Sequence, residues 1–272
     1  MALGLAVAVG NGIPAFDAIS VEVGDVLYLA LEDNERRLKK RLSKMGYSPS
    51  ERVTLATNWP DLDNGCVAEM EAWIDAVPNA KLIIVDVLNK VRGRTGSREQ
   101  QYEADYKTLS SLHELASRRA VSIMVLHHTR KLDADDPFDL VSGTRGLTGA
   151  ADTILVLRKP KSSEEATLYG RGRDIQEFEA VMRFDGETCH WQMRGDAAAF
   201  AKTAERQEIL DLLIDAKTPL TPTMVAEKLG KERTNVNHLM LALVKDGQAR
   251  SDGGLYTPIH SVHSGHWGTV NE

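Results

Sequence analysis

The sequence predicts an α/β protein in two parts: a mainly parallel sheet covered by helices, then a small helical domain that ends in a hairpin. Three observations predict it. Short apolar runs at residues 26–31, 82–87, 121–126 and 153–157 alternate with helical stretches, the pattern of strands buried on both faces. Glu32, Asp86 and His128 follow or close three of these runs, and in open parallel sheets ligands bind at the carboxyl ends of the strands. From residue 206 the pattern becomes helix, turn, helix, turn, helix and a return strand, which describes a winged helix-turn-helix.

Along the chain, residues 1–10 (MALGLAVAVG) read as the second half of an Ala-rich helix that stops at Gly10 and Gly12. The run VLYLAL at 26–31 is a buried strand that leads through Glu32 and Asp33 into a charged amphipathic helix, ERRLKKRLSKMG. Residues 53–56 form a short edge strand and 67–76 a helix. LIIVDV at 82–87 is a second buried strand with one carboxylate near its end, and 103–118 is a long helix. VSIMVL at 121–126 is a third buried strand, running into His127, His128 and Thr129, and TILVL at 153–157 is a fourth. ATLYGRGR, FEAVMRF and CHWQM alternate in polarity and read as antiparallel strands, with a turn at Asp185-Gly186. The first domain therefore spans 1–195 and a linker 196–205. The winged helix spans 206–259, with helices at 207–215, 223–229 and 233–246, and 260–272 is a disordered tail.

Composition narrows the class. Of the 272 residues 42% are hydrophobic and 26% charged, ordinary for a globular protein, and the net charge of −6 excludes a histone-like polycation. Any nucleic-acid contact must come from a local basic patch. Cys66 and Cys189 lie far apart in no metal-like spacing, so a reduced, cytoplasmic setting is expected. No apolar run approaches the length that crosses a bilayer.

The strand-end residues carry the chemistry. Nucleotide hydrolysis needs a carboxylate to orient or deprotonate water, a second to hold Mg²⁺ through its waters, and a donor near the γ-phosphate. Glu32, Asp86 and His128 offer one candidate for each need, against the plainer reading of ordinary strand-end polar groups. His127 and His128 cannot both face one ion, because neighbours on a strand point to opposite faces. The tail residues His260, His263 and His266 read as solvated. Gly143-Thr144-Arg145-Gly146 reads as a flexible loop, with Arg145 a candidate nucleic-acid contact, and Arg171 and Arg173 read as strand-surface charge if taken alone. In the winged helix, Arg233, Asn235, Asn237 and His238 are candidates to face a major groove.

VLYLALEDNERRLKKRL, LIIVDVLNKVRG, MVLHHTRK and DPFDLVSGTRGLTGAADTILVLRK, in that order, resemble the RepA-type hexameric replicative helicases, RecA-like ATPases, over roughly residues 1–195. The resemblance implies a RecA-like core that uses ATP and Mg²⁺, acts on DNA and associates into a ring. By matched position it implies Glu32 as catalytic base, Asp86 as the Walker B carboxylate and His128 as the γ-phosphate sensor. It also implies Arg41 near the nucleotide, and Arg171 and Arg173 as a pair reaching into a neighbour's site. One departure stands out. The family's first strand and GxxxxGK[ST] loop would precede the helix at Met1, and no GxxxxGK[ST] occurs in the sequence. Gly230-Lys231 is followed by Glu232 inside the helix-turn-helix and does not replace it. The expectation is a core that begins just after its phosphate loop, with strand edges left open and weak nucleotide binding. The competing expectation is a DNA-binding or partner-binding regulator that works through the winged helix.

Overall fold

The computed structural model describes residues 1–47, 50–93, 98–129, 134–141, 149–160, 163–216 and 218–259, with backbone alone for 98–103, 198 and 200–204. It divides into two compact units, Met1–Asp196 and a second that begins at Ala197.

The first unit is built on four parallel strands, β1 (Asp25–Ala30), β2 (Val53–Ala56), β3 (Ala80–Asp86) and β4 (Ser122–Val125), in the order β2-β1-β3-β4. Every residue of β1 is buried, and successive side chains go to opposite faces. Val26, Tyr28 and Ala30 pack against α1 (Ala2–Asn11) and α2 (Glu35–Lys44). Leu27 and Leu29 pack with Met70 of α3 (Cys66–Ala76) and with Leu112 and Leu115 of α5 (Arg98–Arg119). Burial on both faces is why β1 and β3 read as continuous apolar runs, whereas β4, expected to be buried, has Ser122 exposed and Ile123, Met124 and Val125 half-buried. Truncating a fully buried leucine such as Leu29 to alanine costs about 2–5 kcal/mol.

Local signals set the ends of the helices. α1 stops where Gly12 adopts φ 66°, a left-handed cap open to glycine, and the Gly12 N–H closes on the Ala8 carbonyl. α2 starts at Asn34, whose side chain accepts from the Arg37 N–H. A short helix, α4 (Leu88–Val91), follows β3 directly.

A second sheet, β5 (Thr153–Arg158), β6 (Glu165–Gly172), β7 (Phe178–Asp185) and β8 (His190–Asp196), is antiparallel throughout in the order β5-β6-β7-β8. The run TILVL was expected as a fourth buried strand of the parallel sheet. It is instead the edge strand of this one, and only Val156 of β5 is buried. The reason is geometric: among the described residues β5 pairs on one side only, with β6.

The second unit packs α6 (Ala197–Asp215), α7 (Pro222–Leu229) and α8 (Arg233–Lys245) with the hairpin β9 (Ala249–Asp252) and β10 (Leu255–Pro258) around Ile209, Val225, Val236, Met240 and Tyr256. Thr221 caps α7 by accepting from the Met224 N–H, Pro222 occupies its first turn, and Gly230 ends it at φ 63°. Residues 197–205, expected as linker, are helical and form the amino half of α6.

Candidate active site

The carboxyl ends of β1, β3 and β4 lie side by side, because Ala30 pairs with Asp86 and Val85 with Val125. The loops leaving them carry Glu32, Asp86 and His128 to one edge. Glu32 and His128 are both exposed, and Nε2 of His128 stands 3.6 Å from Oε2 of Glu32. His127 is half-buried where His128 is exposed, as expected for neighbours leaving a strand.

Asp86 is set differently. The Tyr28 hydroxyl donates to its Oδ2 at 2.7 Å. Tyr28 lies two residues before the level of Asp86 on the next strand, on the same face, and is 2% exposed. Its phenol is pushed well above the ordinary range, first by burial and then by the Asp86 carboxylate, so it acts purely as a donor. Tyr28 was absent from the sequence-derived candidates, since a tyrosine in an apolar run reads as core. Its signal was the period-two offset that puts it on the Asp86 face.

Arg41 lies on α2, one wall of the cavity that also touches Tyr28 and Asp86. Its Nη1 is 2.6 Å from Asp33 Oδ2, and Arg37 Nε takes the other oxygen of Asp33 at 3.2 Å. Asp33 thus anchors the guanidinium that the family resemblance implies near the site.

The remaining candidates fall elsewhere. Arg171 stacks over the Phe138 ring at 4.1 Å and pairs with Asp136 at 3.0 Å and Glu177 at 2.5 Å. Asp136 is held below its usual range by the Phe138 N–H and then by Arg171. Arg173 reaches Asp152 at 3.4 Å and the Gly149 carbonyl at 3.2 Å. Both arginines therefore have local partners. Arg145 and the tail histidines His260, His263 and His266 lie outside the described residues. In the second unit, Arg233 and His238 are exposed and Asn237 is half-buried, whereas the Asn235 side-chain amide donates to Glu205 of α6 at 3.2 Å. The outward stripe of α8 runs Thr234, His238, Leu241 and Lys245, all exposed, opposite buried Val236, Leu239, Met240 and Leu243. Thr234, Leu241 and Lys245 of this stripe were not among the sequence-derived candidates, which favoured polar residues of the first turns.

The family model described as "AAA domain" matches residues 1–134. A second, described as "IclR helix-turn-helix domain", matches residues 208–253. No curated protein matches the sequence. Among solved structures, the chain resembles one described as an "ATPase Domain", with a TM-score of 0.53 and 13% identity over 62% of this chain and 74% of that one. It also resembles "The Structure Of A DnaB-Like Replicative Helicase And Its Interactions With Primase", with a TM-score of 0.53 and 13% identity over 62% of this chain. The chain covers half of that second structure's length, 50%. At such identities the likeness is one of fold, and the fold is RecA-like α/β followed by a helix-turn-helix with a small hairpin. Among the described residues no helix is long and apolar enough to cross a membrane.

Proposed function

We propose that the first unit is the core of an ATPase that works on DNA, related to the RepA-type replicative helicases, and that the second unit contacts DNA. The observation that carries the reading is the edge itself: a carboxylate with an imidazole 3.6 Å away, beside a second carboxylate held by a buried phenol.

The donor set suits Mg²⁺. This ion is held by one or two carboxylates together with waters and phosphates. Asp86 offers that kind of ligand, a carboxylate that lines the cavity and takes the Tyr28 hydroxyl on one oxygen. Among the described residues no group of three or more His, Cys, Asp or Glu is gathered as a metal cage. Bound ATP and Mg²⁺ would supply the phosphoryl group and the charge that activates it. Glu32 then accepts the proton of the attacking water. His128 donates to the γ-phosphate and, beside Glu32, registers whether it is present. Arg41, fixed by Asp33, adds positive charge along the cavity. In a ring, Arg171 and Arg173 would act on the neighbour's nucleotide, exchanging their local carboxylates for phosphate.

No phosphate loop of the GxxxxGK[ST] kind is among these 272 residues, although the cavity reaches the start of α1. The test is Mg²⁺-dependent ATP turnover by the protein with a strand and GxxxxGK[ST] loop added ahead of Met1. Glu32→Gln should keep nucleotide binding and abolish turnover, and undiminished turnover in that variant would remove Glu32 from its role.

The helix-turn-helix match over residues 208–253 favours a second reading, a regulator that binds DNA through α8 without using nucleotide. Binding of the 272-residue chain to duplex DNA that is indifferent to nucleotide, with no turnover by the extended protein, would select it.

A further inference from the structure

The charge of α2 works against the helix that carries it. Its sequence, ERRLKKRLSK, holds six cations and one carboxylate in ten residues, in a chain whose net charge is −6. Leu38 and Leu42 are buried in the layer that packs on β1. The opposite face presents Arg36, Lys39, Lys40, Ser43 and Lys44, all exposed. Helical spacing sets Arg36, Lys40 and Lys44 one above the other, about a turn apart.

Like charges three and four positions apart repel. Arg36 and Arg37 also lie in the first turn, where the helix dipole favours carboxylates instead. Asp33 takes up Arg37 and Arg41, at 3.2 Å and 2.6 Å. Lys39 stands 3.8 Å from Glu35, with side chains 81% and 77% exposed, so that pair neutralises little. Among the described residues no carboxylate pairs with Arg36, Lys40 or Lys44, and Lys44 Nζ donates to the Gly186 carbonyl at 3.2 Å. A face that serves only solvation alternates in sign. This one keeps a single sign along its length.

We infer that the outward stripe of α2 is a docking surface for the phosphate backbone of duplex DNA. The chemistry of the stripe selects that occupant. It has no apolar or aromatic side chain, so it gives a protein partner no anchor to bury. For the same reason it gives a single strand no ring on which bases stack. What it offers is a row of cations, and a duplex is a dense matching row, with one charge per about 1.7 Å of its axis. Such contacts hold the duplex without reading its sequence. α2 follows Glu32 closely, and its Arg41 lines the cavity with Asp86, so this surface and the candidate site share one helix. The inference adds to the DNA contact proposed for the second unit and depends neither on that contact nor on nucleotide.

Lysine acetylation of the 272-residue chain, read by mass spectrometry, tests it. The probe is a random-sequence DNA duplex of about two helical turns. At saturation the duplex should slow acetylation of Lys40 and Lys44 severalfold. Lys81, paired with Glu22 at 2.8 Å, should react as before. The variant Arg36→Gln, Lys40→Gln, Lys44→Gln removes repulsion at exposed positions, so its thermal midpoint should hold or rise. It should bind unrelated duplexes about tenfold or more weakly, with a salt slope smaller by about two to three. Five results overturn the inference: no protection of Lys40 and Lys44, an unchanged salt slope, equal protection by polyglutamate, stronger protection by a single strand, or protection that Arg233→Ala abolishes at saturating duplex. Equal protection by polyglutamate would turn the stripe toward an acidic protein, and loss with Arg233→Ala would return the contact to the second unit. None of these readouts involves nucleotide, so failure of the ATPase reading would leave them unmoved.

Discussion

Tyr28→Phe isolates the contact that orients Asp86. The substitution keeps the ring, buried between β1 and the α1–α2 layer, and removes only the hydroxyl that donates to Asp86 Oδ2 at 2.7 Å. A hydrogen bond to a charged group contributes about 1.5–3 kcal/mol. Asp86 is only half-buried, and water replaces part of the loss, so about 1–2 kcal/mol is expected. With a urea slope of about 2 kcal/mol per molar, the midpoint should fall by about 0.5–1 M. Trp59, Trp73 and Trp191 all belong to the first unit, so fluorescence in a Trp267→Phe background follows that unit alone. Asp86→Ala should also destabilise, because it leaves a buried phenol without an acceptor. The double variant should cost about 1–2 kcal/mol less than the sum of the two single changes. Additive costs, or an unchanged midpoint for Tyr28→Phe, would refute the contact and with it the orientation assigned to Asp86.

Three further outcomes are expected. In the upstream-extended protein His128→Ala should slow hydrolysis more than His127→Ala, since only His128 stands beside Glu32, and equal rates would reverse that assignment. Mixing a Glu32→Gln protein with an Arg171→Ala, Arg173→Ala protein should restore some turnover if the arginines act across a subunit boundary. A fully active arginine double variant would leave them their local partners only. On the second unit, Arg233→Ala should weaken duplex binding uniformly and reduce the salt slope by about one. His238→Ala, central on the outward face of α8, should relax sequence preference, and DNA affinity insensitive to both would turn that face toward protein partners.

Much of the fold was legible in the sequence because burial writes itself into pattern. β1 and β3 are covered on both faces and appear as apolar runs, and the caps at Gly12 and Thr221 are local. The strand-end placement of Glu32, Asp86 and His128 follows from the same runs. What stayed hidden depends on contacts distant in sequence. Residues 153–157 read as a buried strand by composition, but burial needs a neighbour on each side and β5 has one. The helix at 197–215 absorbed an expected linker because its Ala-rich start carries no amphipathic stripe. Tyr28 escaped notice since its hydroxyl meets a carboxylate 58 positions away. The local pairing of Arg171 with Asp136 and Phe138 is of the same kind.

The central claim is that the edge formed by Glu32, Asp86 and His128 is a nucleotide site that needs a phosphate loop in addition to the residues of this sequence. Titration calorimetry with Mg²⁺-ATP on two proteins tests it most directly: the 272-residue chain and the same chain with a strand and GxxxxGK[ST] loop added ahead of Met1. Without the bed of N–H donors and the lysine, the shorter chain should bind weakly or not at all. The extended chain should bind tightly and release heat of hydrolysis that Glu32→Gln abolishes. Micromolar affinity in the 272-residue chain, or no binding by the extended one, would contradict the account.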